Sequence, residues 1–179
     1  MNKTKEDHQK TLVLLDTHAL IHRAFHALPP LTSPAGEPVG AVYGVANVIL
    51  KIIKEMQPDY IAAAFDRPEP TFRHKAYKEY KAQRAEAPDD LIRQFDTVRS
   101  LCEAFGIHIY DKAGYEADDI IGTLTARATK ADSALHIVIA SGDLDMLQLV
   151  EDDRVVVFTM RKGIADTIIY DEHAVQERF

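Results

Sequence analysis

Residues 135–145, LHIVIASGDLD, pass from an unbroken apolar segment straight into a serine, a glycine and two aspartates, Asp143 and Asp145. A short continuous apolar run is the pattern of a strand buried on both faces, as in a parallel sheet. The arrangement recurs twice: TLVLL (11–15) ends at Asp16, and YIAAAF (60–65) ends at Asp66. A further acidic group, Glu116-Ala117-Asp118-Asp119, opens an amphipathic helical segment. Carboxylates at the ends of buried strands converge on one edge of a parallel sheet, the edge where open α/β folds bind ligands. Crowded anions raise one another's pKa values. Hard divalent cations with oxygen-only ligands, Mg²⁺ or Mn²⁺, relieve that repulsion. The pattern points to a metal-dependent phosphoryl-transfer site.

Between these landmarks the chain alternates strand and helix. Ala19–Ala27 reads as a helix stopped by Pro29-Pro30, and Val39–Met56 as a longer one with Val42, Val45, Ala46, Ile49 and Ile53 at helical spacing. Pro68 and Pro70 break regular structure after the second strand, so the segment that follows begins as a loop with short helical pieces. Pro88-Asp89-Asp90 opens a helix with acids in its first turn, where the macrodipole favours them, and Gly106 ends it. Ile107–Tyr110 is a third strand, Glu116–Ala128 a helix and Leu144–Val150 a short helix. Arg154–Phe158 and Thr167–Tyr170 form a strand or hairpin near the edge, and a last helix starts at Asp171. The expectation is a three-layer α/β/α domain with a mostly parallel central sheet.

The bulk properties agree with one domain. The 179 residues are 46% hydrophobic, enough for a substantial core, and no internal repeat or low-complexity segment interrupts them. No apolar stretch approaches the roughly 20 residues that span a bilayer. Residues 1–10, MNKTKEDHQK, lack an apolar stretch and read as a solvated tail, not a secretory signal, leaving 11–179 as the folded core. A single cysteine, Cys102, lies in an apolar helical pattern, so a buried inert thiol and a cytoplasmic location are expected. The net charge of −7 argues against a nucleic-acid partner until its distribution is considered. The acids cluster at the strand ends. TFRHKAYKEYKAQR (71–84), by contrast, holds five Lys/Arg against one Glu. There Phe72, Tyr77 and Tyr80 alternate with Arg73, Lys75, Lys78, Lys81 and Arg84, the combination that stacks bases and holds phosphates on single-strand binding surfaces.

Each cluster also has a plainer explanation. Asp16 can cap the following helix, Asp66 can stabilise a turn, and Glu116–Asp119 can be first-turn acids. The coincidence of all of them at one end of the sheet favours a site. Glu116 and Asp119, three apart, share an ideal helix face, from which Asp118 points away while still able to reach a metal from the first turn. Asp143 and Asp145 fit a loop that turns both side chains inward, with Gly142 supplying backbone freedom. Arg23 can be aimed at a substrate phosphate by a short helix, or can form a surface ion pair. His18, His22 and His26 recur every four residues, but no cysteine or fourth ligand accompanies them, and surface positions are expected.

Four stretches resemble the 5′-nuclease domains of the flap-endonuclease family, of the kind found at the N-terminus of bacterial DNA polymerase I. They are LLDTHALIHRAFHALPPLTSPAGEPVGAVYGV (14–45), FDRPEPTFRHKAYKEYKAQR (65–84), GYEADDIIGTLTARA (114–128) and SGDLDMLQLV (141–150). The resemblance covers residues 11–179 and implies a PIN-like, resolvase-like fold. It also implies a 5′-to-3′ exonuclease and structure-specific endonuclease acting on DNA flaps, nicked or gapped duplexes and RNA primer ends. By position, it assigns Asp16, Asp66, Glu116, Asp118, Asp119, Asp143 and Asp145 to two or more Mg²⁺ or Mn²⁺ ions. Arg23 falls where a basic residue meets the scissile phosphate. Lys81 lies in a basic arch, residues 67–88, at a position implicated in transition-state stabilisation, and Arg73, Tyr77, Tyr80 and Arg84 bind substrate there. The implied reaction is in-line attack of water on the phosphodiester, with two cations stabilising the attacking and leaving oxygens.

The chain departs from the family pattern at Thr17, where a glycine is common, and at Leu144, where a lysine is common and its positive charge is lost. Family members continue into a helix–hairpin–helix element that grips duplex DNA. This chain is therefore expected to be either a piece of a longer polymerase or a reduced stand-alone nuclease, monomeric and not membrane-bound. The rival readings are a PIN-like metal-dependent RNase, a non-catalytic DNA-binding module and a receiver-like phosphoacceptor. The long basic insertion speaks against the first and the last, and retention of all seven acids against the second.

Overall fold

The computed structural model describes residues 9–77, 79–83, 86–161, 163 and 166–179. Most of the polar tail (1–8) and Arg84 lie outside these described residues. The elements follow as β1 (Thr11–Asp16), α1 (Thr17–Ala27), α2 (Gly40–Met56), β2 (Tyr60–Phe65), α3 (Phe72–Ala76) and α4 (Asp89–Ala104). Then come β3 (His108–Asp111), α5 (Ala117–Ala131), β4 (His136–Ala140), a 3₁₀ turn (Leu144–Leu149), β5 (Val155–Met160), β6 (Thr167–Tyr170) and α6 (Glu172–Arg178).

The strands form one sheet in the order β3-β2-β1-β4-β5-β6. All neighbours are parallel except β6, which pairs antiparallel with β5 at the edge. Thus the expected edge hairpin exists, but its first strand is an interior, wholly buried parallel strand. Successive strand residues face opposite layers. Val13, Leu15, Phe65, Val138, Ala140 and Phe158 pack under α1, α2 and α4. Leu14, Ala64, Ile137, Ile139 and Val157 pack with Ile121 of α5 and, more peripherally, Val175 of α6. Burial on both faces explains why these strands read as continuous apolar runs.

The chain leaves β1 toward β2 on one side and returns to its other side through β4, so β1 and β4 flank a topological switch point. Their register, Leu15 opposite Ala140, brings Asp16 and Ser141 side by side at the carboxyl edge.

Two sequence features resolve as packing devices. Cys102 is fully buried and burial pushes its thiol up to about 11, so it is the inert thiol expected. Gln94, on α4 and only 1% exposed, closes the N-terminus of α2 from outside. Its Oε1 accepts from the Ala41 and Val42 N–H groups at 2.7 and 3.3 Å, and its Nε2 donates to the Asp90 carbonyl at 2.7 Å. The first turn of α2 has no side-chain cap of its own, since Val39 precedes it. Replacing Gln94 with Leu keeps the volume but leaves those donors unsatisfied. It is expected to cost about 2 kcal/mol in urea unfolding, the usual penalty for orphaned buried groups. An unchanged midpoint would show that the cap is dispensable.

Candidate active-site cleft

At the carboxyl edge a cleft of about 580 Å³ opens between α1, the end of β2, the start of α5 and the loop after β4. Five of the seven predicted carboxylates line it: Asp16, Asp66, Glu116, Asp118 and Asp143. Arg23 and Lys81 line it too, together with His18, His22 and His26.

Four of the five acids are seated by backbone hydrogen bonds, so the plainer structural roles are also filled. Asp16 caps α1, its Oδ1 accepting from Ala19 N–H at 3.1 Å. The Ser141 hydroxyl donates to its Oδ2 at 2.6 Å and accepts from the Asp143 N–H at 2.9 Å, linking two strand ends. Asp66 Oδ1 takes the Ala117 N–H at 2.6 Å, which ties the end of β2 to the start of α5. Asp143 caps the 3₁₀ turn by accepting from Asp145 N–H at 2.9 Å.

Two placements differ from expectation. Glu116 is not a helical residue: it is the extended N-cap of α5, with φ −94° and ψ 163°. It forms a reciprocal capping box with Asp119, whose Oδ2 accepts the Glu116 N–H at 3.0 Å. The face shared by 116 and 119 is therefore a cap, and Asp118 is the one that lines the cleft. Asp119 instead accepts from both terminal nitrogens of Arg73, each at 2.7 Å. Likewise Asp143 and Asp145 do not both turn inward. With Asp143 capping the turn, Asp145 is left exposed outside the cleft lining.

Gly142 also has a different role. Its backbone is not among the positive-φ glycines. A Cβ there would lie 2.7 Å from the Ala19 carbonyl oxygen and 3.0 Å from Arg23 Cβ, so the residue permits close approach of the loop to α1. Of the three histidines, His22 and His26 are exposed as expected and His18 is not. His18 is half-buried, not superficial: its ring lies 4.6 Å from that of Phe95, and its Nδ1 accepts the Asp66 N–H at 3.2 Å. Burial holds its pKa below the usual histidine value, against the opposing pull of Asp66.

The electrostatics are those of under-compensated negative charge. Burial pushes the Asp16 carboxyl up to about 7, with Asp118 and Asp66 adding to the rise against the Ser141 and Ala19 hydrogen bonds. Burial, then the neighbouring Asp143, Asp66 and Glu116, lifts Asp118 to about 6. Across the cleft the basic segment supplies the counter-charge. Lys81 Nζ donates to Glu116 Oε1 at 2.8 Å and the Tyr80 hydroxyl to Oε2 at 2.9 Å. Burial would raise Glu116, but these bonds outweigh it and leave its pKa lowered. The Arg73 hydrogen bonds lower Asp119 in the same way. Lys81 reaches Glu116 from the left-handed backbone region, φ +57°, uncommon for a side-chain-bearing residue.

Arg23 is anchored by its NH2 group on the Met160 and Arg161 carbonyls, at 3.1 and 2.6 Å. Tyr77 is exposed and donates to Glu79. Ser141 was missed by sequence reading, although a serine between a buried strand and Gly-Asp was the available signal.

The donor set suits a hard divalent cation: carboxylate oxygens, no thiolate, and cationic side chains already drawn to the acids. Among the described residues no three such groups stand close enough to hold a metal ion as they are. The acids are gathered around one cleft, but not closed on one point.

A doubly wound sheet with carboxylates at its switch point, met by Arg73 and Lys81, defines a nuclease-type α/β domain. Residues 11–179 match the family described as 5′-3′ exonuclease, N-terminal resolvase-like domain, and the chain belongs to that family. It is 45% identical over 171 residues to DNA polymerase I of Chloroflexus aurantiacus, covering 94% of this chain and 18% of the polymerase. To DNA polymerase I of Bacillus subtilis it is 41% identical over 171 residues, covering 96% and 19%. The chain thus spans less than a fifth of the length of these two polymerases. In fold it is similar to the T5 D15 protein co-crystallised with metal ions, with a TM-score of 0.72 and 17% identity, over 94% of this chain and 60% of that one. The T5 5′-exonuclease with bound zinc gives a TM-score of 0.67 at 21% identity, with the same coverage. No helix among the described residues is long and apolar enough to cross a membrane.

Gly142→Ala is expected to lower stability by about 1–3 kcal/mol, the usual cost of overpacking, because the obstacle is backbone carbonyl. Thermal unfolding of the variant measures it. Native-like stability would mean that the loop can withdraw from α1 at no cost.

Proposed function

We propose that this chain hydrolyses DNA phosphodiesters as a 5′-3′ exonuclease and structure-specific flap endonuclease dependent on Mg²⁺ or Mn²⁺, and that it serves as the nuclease portion of a DNA polymerase I. The observation that carries this reading is the cleft in which five carboxylates from four segments face Arg23 and Lys81. Two support lines lie in the relatives: proteins 41% and 45% identical to this chain are DNA polymerases I, and the T5 D15 flap endonuclease, of the same fold, was crystallised with DNA and metal ions.

In this proposal Asp16, Asp66, Glu116, Asp118 and Asp143 hold two or more cations, with Asp119 and Asp145 in supporting positions. When bound, the cations supply Lewis-acid polarisation of the phosphodiester. The protein's own groups do the rest. Ser141 and the backbone N–H donors fix the carboxylate orientations before substrate arrives. Arg23, braced by two carbonyls, and Lys81 flank the phosphate and offset charge that grows on it. Arg73, Tyr77, Tyr80 and Arg84 engage the DNA strand. Lys81 and Arg73 are held by Glu116 and Asp119, which keeps both cationic side chains beside the carboxylates that would hold the metal.

The test is cleavage of a 5′-flap duplex with Mg²⁺ or Mn²⁺, with a single-stranded RNA of the same sequence alongside. Asp118→Asn, which removes a charge and little volume, is expected to reduce cleavage to background. Lys81→Ala is expected to lower kcat by about a hundredfold with little change in KM. Cleavage of the RNA but not the flap would support an RNase instead, and full activity in Asp118→Asn would remove that residue from the centre.

A further inference from the structure

Phe72 and Tyr115 sit beside the cleft, outside its lining, and are large aromatics left 46% and 43% exposed. They belong to segments distant in sequence, the start of α3 and the loop before α5. The Phe72 N–H donates to the Gly114 carbonyl at 2.9 Å and fastens the two segments together. The ring centroids are 5.7 Å apart at an interplanar angle of 53°, so the rings make an open, angled pair and not a closed stack.

Each ring carries a cation. The Arg73 guanidinium lies 4.6 Å from the Phe72 centroid, and Lys112 Nζ lies 5.1 Å from that of Tyr115. Arg73 is fixed by its paired hydrogen bonds to Asp119, and this makes one wall of the pair rigid. Lys112 is exposed. Tyr115 directly precedes Glu116, the carboxylate that binds Lys81 and Tyr80, so the platform is one residue removed from the acidic cleft. Two exposed π-faces flanked by cations match the chemistry of an unstacked nucleobase on its phosphate backbone.

We infer that Phe72 and Tyr115, with Lys112 beside them, form a stacking platform for one or two unpaired bases of single-stranded DNA entering the cleft, a site that takes its ligand class from the nuclease reading above. Base identity does not matter on such a platform, because every base has a π-face. Its grip is on single-stranded and not duplex DNA.

The experiment is an abasic scan. A flap substrate with one abasic residue moved along its unpaired strand is bound to the 179-residue chain in EDTA, and affinity is read at each position. The expected result is about a tenfold loss at one or two adjacent positions, abolished in the Phe72→Leu/Tyr115→Leu variant, whose leucines keep the apolar contact without the π-faces. Should that variant fail to fold, judged by its thermal melt, Tyr115→Leu alone replaces it, since Tyr115 lies in an exposed loop. Equal affinity at every abasic position overturns the platform, as does a loss that persists undiminished in the folded variant. Cleavage of the intact flap with Mg²⁺ is measured in parallel. Cleavage with no abasic effect defeats the platform alone, whereas an abasic effect without cleavage defeats the nuclease reading and leaves the platform standing.

Discussion

Negative charge at the carboxyl edge of a buried sheet is the constraint on which the rest of the structure depends. Five carboxylates share one cleft, and Asp16 among them is nearly inaccessible to water. Water cannot offset their repulsion there, and the protein does so by three means. Backbone N–H groups at the starts of α1 and α5 point at Asp16 and Asp66. Ser141 shares a hydroxyl between Asp16 and Asp143. Arg73 and Lys81 come from an otherwise separate segment to meet Asp119 and Glu116. Even so, Asp16 and Asp118 keep raised pKa values, chiefly because burial withholds water from the charged form, with the neighbouring carboxylates adding to the rise. Such residual strain belongs to a binding site, not to a structure optimised for stability alone.

The same groups therefore serve fold and site at once. Asp16 caps a helix and lines the cleft; Glu116 and Asp119 close a capping box and anchor the basic segment. Choosing between a capping role and a functional role is a false alternative here, because a carboxylate already oriented by backbone donors is preorganised for a ligand.

What sequence reading could recover follows from the range of the interactions involved. Strands buried on both faces announce themselves as unbroken apolar runs, so β1, β2 and β4 and the acids at their ends were legible. The identity of the inward-facing acid on α5 was not. Ideal helix geometry pairs 116 with 119, but the N-cap at Glu116 shifts the helix start by one residue and puts Asp118 in the cleft. Gly142 looked like a source of conformational freedom, and is a steric allowance for a carbonyl 123 residues earlier in the chain, which no local pattern reveals. Gln94 was invisible for the same reason: its partners lie on α2, 52 and 53 residues away.

The basic segment shows how a net charge of −7 is compatible with a polyanionic substrate. Long-range attraction depends on where charge sits, and exposed charges more than about 10 Å apart are largely screened at ordinary salt. The Arg73–Asp119 and Lys81–Glu116 pairs place cations at the rim of the acidic cleft, within reach of a phosphate seated there. Positive and negative side chains thus stand side by side at that edge of the cleft. The left-handed backbone at Lys81 is consistent with this arrangement. Strain at a single residue persists where surrounding contacts over-determine it, and the contact that does so here is the ammonium on Glu116. The fold thus spends local backbone energy to keep one lysine at the mouth of an anionic site, where it offsets the charge of a buried carboxylate.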